Sequence, residues 1–272
     1  MPELPDVERA RRFLSRHAAG RRIDAVAVTD PQILRNTTPS ALDPALRGER
    51  FEEPERRGKW LVAWTSGPAV LLHFGMTGEL GWAEGPDGRH RHDRVIFQTD
   101  AGELRYRNMR KLGGLWLAHD GAEVESILAP LGPDALSVDR KQFRELLGRR
   151  RGRVKAALMD QGLIAGAGNL VVDEVLWHAR IHPLTGLDAL APADLDRLHR
   201  ELQRVLRTWI ERHGHLPRGW LIHVRGRQGA VCPRCGTPLA RIVVGGRTTY
   251  FCPRCQPPML APGTAGPRAG PS

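Results

Sequence analysis

Acidic residues are scarce in this chain. Its 272 residues hold 30 Asp and Glu against 41 Lys and Arg, a formal net charge of +11, which points to a polyanionic partner. Lysine is scarcer still, with four occurrences. A preference for Ala, Gly, Pro and Arg codons accounts for the choice of cation; it does not account for the missing acids. Long apolar runs are also missing. None approaches the ~20 residues of a membrane-crossing helix, which excludes that class. The charged N-terminus lacks the apolar core segment of a signal peptide, so none is expected. Cysteine occurs four times, and only in one short C-terminal stretch. A reducing cytoplasm is therefore the expected compartment. A hydrophobic content of 41% suits a normal core, and the length allows two domains or one large one.

Along the chain, residues 6–18 place Val7, Ala10, Phe13, Leu14 and His17 at helical spacing, with Gly20 able to end the helix. Short strand-like runs follow at 23–28, 59–64, 70–74, 79–82, 94–99, 103–107 and 115–118, and Asp100-Ala101-Gly102 reads as a hairpin turn. This predicts a β-sandwich with one helix laid against it. After Pro130-Leu131-Gly132-Pro133 the texture becomes helical, over 140–148, 154–160, 169–179 and roughly 193–213, and residues 161–168 form a pair of tight turns. The longest helix carries Leu195, Leu198, Leu202, Val205, Leu206, Trp209 and Ile210 on one face, with Pro192 suited to its first turn. From Arg212 onward there are nine arginines and no Asp, Glu or Lys, and the Pro/Gly-rich end from Pro257 reads as a disordered tail.

Three constellations carry chemistry. Cys232-Pro-Arg-Cys235 and Cys252-Pro-Arg-Cys255, sixteen residues apart, can close a tetrahedron of thiolates around one structural Zn2+. The residues between them read as a β-hairpin with a Gly245-Gly246 turn, and Arg247 at its tip is a candidate for reaching a ligand. A redox pair or disulfides are the lesser alternatives. Residues 140–155 hold eight Lys or Arg against one Glu and lead into Gly166-Ala167-Gly168-Asn169, where free amides at a helix start favour a phosphate. Separately these read as a solvated surface and an ordinary N-cap; together they favour binding to a DNA backbone. The third constellation is Pro2-Glu3. Removal of Met1 exposes a secondary amine, and α-amino groups have a reference pKa of about 7.7–8.0, low enough to leave a nucleophilic fraction near neutrality. Alone, the pair reads as a proline lead into a helix.

In combination, these segments resemble the formamidopyrimidine-DNA glycosylase and endonuclease VIII family of base-excision repair enzymes. The resemblance lies in PELPDVE at the start, RRGKWL around Lys59, HFGMTG around Met76 and RYRNMRKLGG around Arg110. It continues through LMDQGLIAGAGN ending at Asn169, DEVLWHARIHP and the four-cysteine finger. It implies an α+β multi-domain protein: an N-terminal β-sandwich with a catalytic N-terminal helix (1–131), a helix–two-turns–helix domain (132–222), a zinc-finger hairpin (223–258) and a tail (259–272). The implied activity is a bifunctional glycosylase and lyase acting on double-stranded DNA with a damaged base or abasic site. It would be a nucleoid-associated monomer with no membrane partner.

The resemblance also implies roles by position. Pro2 would attack the sugar C1′ and form a Schiff base, Glu3 would be the general acid at the sugar, and Lys59 would assist proton transfer. Asn169 and Arg247 would grip phosphates beside the lesion, with Arg247 linked to a second elimination. His92, Arg151 and Lys155 fall at DNA-contacting positions, and Met76, Arg110 and Leu112 at intercalating ones. Asp160 and Glu174 have counterparts whose role, catalytic or structural, stays open. Two departures stand out. Lys111-Leu112 replaces the family's Arg-Phe, removing an aromatic wedge, and the short segment from Arg212 to Val231 leaves little of a lesion-capping loop. The rival reading is a non-catalytic DNA-binding protein of the same fold, which would have no need of Pro2, Glu3 and Lys59 together.

Overall fold

The structure, a computed structural model, describes residues 2–258. The expected disordered tail at 259–272 lies outside the described residues. The chain divides into two compact units, Met1–Gly132 and Pro133–Ser272.

In the first unit the elements run α1 (Leu4–Ala18), β1 (Ile23–Val28), α2 (Pro39–Leu46), β2 (Glu55–Arg57), β3 (Trp60–Ala63), β4 (Ala69–His73), β5 (Gly78–Ala83), β6 (Asp93–Thr99), β7 (Gly102–Asn108), β8 (Gly114–Ala118) and α3 (Gly121–Leu128). They form two antiparallel four-stranded sheets, ordered β1-β6-β7-β5 and β2-β3-β4-β8. Val7 and Leu14 of α1 join Ile23, Leu61, Val70, Leu72, Phe97, Leu104 and Tyr106 in the larger core. Because side chains alternate along a strand, Val62, Ala69 and Leu71 point to the opposite face, where Val124 and Leu128 of α3 cover them. Burial on both faces explains why β4 is a continuous apolar run. The sandwich thus carries three helices, where the sequence pattern predicts one. Pro39 and Pro44 in α2 and Gly121 at the start of α3 mask helical periodicity with residues that usually mark turns.

The second unit contains α4 (Arg140–Gly148), α5 (Val154–Met159), α6 (Asn169–Ala179), α7 (Pro192–Glu211), β9 (Ala240–Val244) and β10 (Arg247–Phe251). The apolar stripe of α7 is buried from Leu195 to Ile210 as its spacing predicts. The turns between α5 and α6 are stapled by one side chain. Gln161 Nε2 donates to Met159 O and Ala167 O, and its Oε1 accepts from Gly166 N–H, each at 2.9 Å. β9 and β10 pair antiparallel across Gly245 and Gly246, at φ +55° and +72°. Two successive positive φ values define the tight hairpin turn that glycine supplies without strain. No helix among the described residues is long and apolar enough to cross a membrane.

Candidate active site and nucleic-acid interface

The first unit builds a site at the head of α1. Pro2 is half-buried and precedes Glu3, the helix N-cap, which is 0% exposed. Asp6 Oδ2 accepts from the Glu3 backbone N–H at 2.9 Å, so the helix's own first turn fixes the backbone there. One turn on, Glu8 accepts from Arg11, Arg12 and Arg56 at 3.0–3.3 Å. Burial opposes its ionisation, but the hydrogen bonds and charges of these arginines outweigh burial and hold its carboxyl below the usual carboxylate range. Arg56 also donates to Gly58 O at 3.0 Å. The link Glu8–Arg56–Gly58 therefore ties α1 to the turn that carries Lys59. Lys59 sits in this turn rather than in the strand predicted from 59, because Gly58, at φ +55°, reverses the chain before Trp60. Burial first, and then the Lys59 charge, lower the pKa of His73, which pairs in register with Trp60, so His73 stays neutral beside the lysine.

A second feature of this unit is a pair of loops, β4–β5 and β7–β8. They present Met76, Met109 and Leu112 with 40%, 52% and 56% exposure. Close backbone packing explains their glycines. A Cβ on Gly75 would lie 2.4 Å from Gly113 N, and one on Gly113 would lie 1.9 Å from His73 O. Asn108, fully buried, donates to Phe74 O at 3.3 Å and to Tyr106 Oη at 3.0 Å, and its Oδ1 accepts from Lys111 N–H at 2.9 Å. Thr77 Oγ1 accepts from Arg110 N–H at 3.0 Å, and Arg110 Nη1 lies 3.2 Å from Met76 Sδ. Lys111 takes φ +53° and turns away to Asp30 at 3.0 Å and to Gln32, while Arg35 donates to the carbonyls of Lys111 and Gly113. Its replacement of arginine thus serves the base of the loop, and Arg110 and Leu112 remain to face outward. His92, beside β6, accepts at Nδ1 from Arg94 at 3.0 Å, which leaves the proton on Nε2 for donation. Burial first, and then Arg91, Arg94, His90 and Arg107, keep this ring below its ordinary pKa and so neutral.

In the second unit, Asn169 opens α6 and donates from Nδ2 to Thr248 O at 3.0 Å, one residue past the exposed Arg247. The two residues expected at neighbouring phosphates are thus brought together through the hairpin backbone. Arg151 is exposed on the connection before α5. Lys155 is not at the surface, which corrects the expectation that it touches DNA. It is 0% exposed, and its Nζ lies 2.6 Å from Asp173 Oδ1 and 2.6 Å from Thr249 Oγ1. The basic run continues into the first turn of α5, and there helical packing turns Lys155 inward. Asp160 accepts from Gly162 N–H at 3.0 Å, and Glu174 accepts from Leu221 and Ile222 N–H at 3.1 and 2.8 Å, so both serve turns and anchoring.

The four cysteine Sγ atoms lie within 4.8 Å of one another, with pair distances of 3.9, 3.5 and 3.4 Å for Cys232–Cys255, Cys235–Cys252 and Cys235–Cys255. A tetrahedron with Zn–S bonds of about 2.3 Å has edges of roughly 3.8 Å. The cluster therefore fits one zinc ion, with each ligand position taken. Cys235 Sγ lies 3.3 Å from Thr237 Oγ1, and the hydrogen bonds with the Thr237 side chain and backbone bring its thiol down to about 6. Trp177 Nε1 donates to Cys232 Sγ at 3.4 Å, and Arg234 stacks over the Trp177 ring at 4.2 Å. Gln256 donates to Ile181 O at 2.9 Å. The finger's base is thereby seated on the end of α6.

The sequence assigns no role to Asp173, Gln161, Glu8, Asn108 and Arg35, although all but Arg35 lie within the segments that carry the resemblance; their partners are known only from the fold.

Comparison with known proteins matches three family models in order. The formamidopyrimidine-DNA glycosylase N-terminal domain matches residues 1–115, the H2TH domain of the same enzyme matches 131–217, and the zinc finger found in FPG and IleRS matches 229–258. The formamidopyrimidine-DNA glycosylase of Symbiobacterium thermophilum is 40% identical over 262 residues, spanning 90% of this chain and 85% of that protein. That of Bacillus cereus is 34% identical, spanning 90% of this chain and 95% of its own length. Among solved structures, Lactococcus lactis Fpg in complex with DNA containing N7-benzyl-Fapy-dG superposes with a TM-score of 0.86 at 32% identity, covering 94% of this chain and 100% of that chain. The same enzyme with abasic-site DNA gives the same values.

Proposed function

Because the chain belongs to the formamidopyrimidine-DNA glycosylase family, we propose that this DNA glycosylase removes oxidatively damaged bases through a Schiff base on Pro2 and then cleaves the strand. The Pro2 nitrogen bonds to C1′ as the C1′–base bond breaks, and Glu3 delivers a proton to the sugar as its ring opens. The product is an iminium. Its charge acidifies C2′, so loss of that proton expels the 3′ phosphate, and a second elimination, aided by Arg247, expels the 5′ phosphate. Lys59 assists these proton transfers. The observation that supports this best is the fully buried Glu3 directly after Pro2, in a backbone fixed by Asp6. As the N-cap, Glu3 also serves the start of α1, and what a protein that only binds DNA would not need is this carboxylate together with a free Pro2 nitrogen and Lys59. Borohydride reduction on abasic-site DNA tests it, since the DNA-binding rival leaves no covalent adduct.

The proposed division is catalysis in 1–131, phosphate binding in 132–222 and the finger in 223–258, acting as a monomer near the nucleoid. Asn169, Arg247, Arg151 and His92 contact the backbone; zinc, held by Cys232, Cys235, Cys252 and Cys255, supplies structural order only. Arg247→Ala should weaken binding to all sequences alike and lower the slope of log K against log salt by roughly 0.9, the value of one phosphate contact. A sequence-selective loss measured by titration across salt would instead mean base reading.

Met76, Arg110 and Leu112 fill the void left by the extruded nucleotide. An aromatic stacked on a base contributes about 1–3 kcal/mol, and leucine offers apolar contact alone. Arg110→Ala should therefore slow single-turnover excision from duplex DNA more than Leu112→Ala, and the reverse order would assign the extruded state to the plug.

The lesion preference follows from the segment before the finger. Leu221 and Ile222 are pinned to Glu174, and Arg225 to Asp173 at 2.6 Å, so this segment serves as an anchor and leaves little length to close over a base. Selection then rests on how easily a base leaves the stack, a cost of a few kcal/mol. Ring-opened purines, saturated pyrimidines and abasic sites should be processed ahead of 8-oxoguanine paired with cytosine, by roughly tenfold for each ~1.4 kcal/mol saved. Faster removal of 8-oxoguanine than of thymine glycol in single-turnover assays would overturn this preference.

A further inference from the structure

The buried lysine has a partner whose connections reach beyond it. Asp173, on α6 and 2% exposed, is the hub of a network confined to the second unit. Its Oδ1 takes the Lys155 ammonium at 2.6 Å, and its Oδ2 accepts from Arg225 Nη2 at 2.6 Å and from Tyr250 N–H at 3.3 Å. Lys155 Nζ also donates to Thr249 Oγ1 at 2.6 Å, and that hydroxyl donates to Arg247 O at 3.1 Å. Asn169 donates to Thr248 O at 3.0 Å, a carbonyl that Arg225 Nη2 approaches at 3.4 Å. In β10, Thr248 is thus tied to Asn169 and Tyr250 to Asp173 on α6, Thr249 to Lys155 on α5, and Arg247 to this set through the Thr249 hydroxyl.

Removing a charged pair from water is costly, and such a pair is weak evidence for stability by itself. What this network does define is geometry. It acts on the backbone from the Arg247 carbonyl to the Tyr250 amide and on the helix that Asn169 opens. The ladder with β9 fixes the register within the hairpin, and these bonds hold β10 against α5 and α6.

We propose that Asp173 is a positioning residue that sets the tip of the hairpin against the head of α6, so that Arg247 and Asn169 meet adjacent phosphates as one preorganised pair. This rests on the phosphate-gripping reading of those two residues. Lys155 is the second member of the device and acts through Thr249, without touching DNA. The single negative charge serves two cations at once, so Asp173→Asn keeps the shape and removes what draws them together.

The test is a double-mutant cycle on the full-length zinc-loaded protein, with a duplex carrying an abasic-site analogue as the probe. Asp173→Asn should weaken binding roughly tenfold, within the range for residues sharing one network. It should also lower the salt slope, since the grip on phosphate is what fails. In an Asn169→Ala/Arg247→Ala background the same substitution should change affinity by less than about twofold. If Asn169→Ala/Arg247→Ala leaves affinity and slope unchanged, the phosphate reading falls and this inference with it. If that pair weakens binding but Asp173→Asn either has no effect or multiplies its full effect on top, the positioning role alone is overturned. Should Asp173→Asn release zinc, Thr249→Val replaces it in the cycle: it removes the hydroxyl between Lys155 and the Arg247 carbonyl, and its effect must likewise vanish when Arg247 and Asn169 are gone. Additivity there overturns the proposal.

Discussion

A protein whose Pro2 nitrogen is blocked, by one residue added ahead of it or by acetylation, should lose base excision and strand cleavage while still binding damaged DNA. An amide nitrogen has its lone pair delocalised into the carbonyl and cannot attack C1′. Removing a catalytic nucleophile costs on the order of 10⁶ in turnover where the remaining groups act as a unit with it. The side chains proposed to bind phosphate, Asn169 and Arg247, belong to the second unit and keep their chemistry. Affinity for an abasic-site analogue should therefore stay at the level of the unblocked protein. Single-turnover excision and a binding titration on the same preparations separate the two. Retained excision would remove Pro2 from the chemistry, and lost binding would show that the block disturbs more than the amine.

Cys235→Ser should have the next largest effect. The four sulfurs fit one zinc ion with no spare ligand, and three thiolates hold it far less well. Buried area cannot compensate. The cluster beneath the finger consists of Trp177 and Leu221 together with Cys232 and Cys252, so two of its four buried members are themselves ligands. A hairpin this small needs its metal to fold. Without it, Arg247 loses its place, and Asn169 loses the Thr248 carbonyl that orients its amide. Hydrogen bonds to charged groups contribute about 1.5–3 kcal/mol each, so two lost phosphate contacts predict a fall in DNA affinity of roughly 10²-fold or more. The sandwich of the first unit has its own core and should melt unchanged. Metal analysis together with a binding titration checks both parts. A zinc-free wild type, or full affinity in the variant, would contradict the structural role of the finger.

Much of this architecture is legible in the sequence, and the reasons are local. The stripe on α7 repeats at helical spacing from Leu195 to Ile210, about four turns, so it cannot be read as anything else. The two Cys-x-x-C pairs declare their geometry because only four ligands at that spacing close on a metal, and Gly245-Gly246 declares its turn. The helices α2 and α3 are concealed by the prolines and glycine at their starts and, in α2, in the middle. Position on a surface is harder to read. Lys155 lies at the end of a run of exposed arginines, and only the packing of α5 on α6 decides that its charge points inward to Asp173. The glycines of the two wedge loops stand out as a motif, yet their cause, the approach of Gly75 to Gly113, involves residues 38 positions apart and exists only in the fold. The same holds for Glu8 and Arg56, which fix the Lys59 turn across the sheet. A side chain that acts through a distant backbone leaves no periodic trace.

In the proposed reaction the N-terminal nitrogen becomes covalently joined to the sugar. The most direct measurement is mass spectrometry of peptides from the complex trapped by borohydride on abasic-site DNA. The expected product is a single modified N-terminal peptide, beginning at Pro2 with Met1 removed and carrying the reduced sugar on the proline nitrogen. An adduct on Lys59, or on any other lysine, with Pro2 unmodified would contradict it.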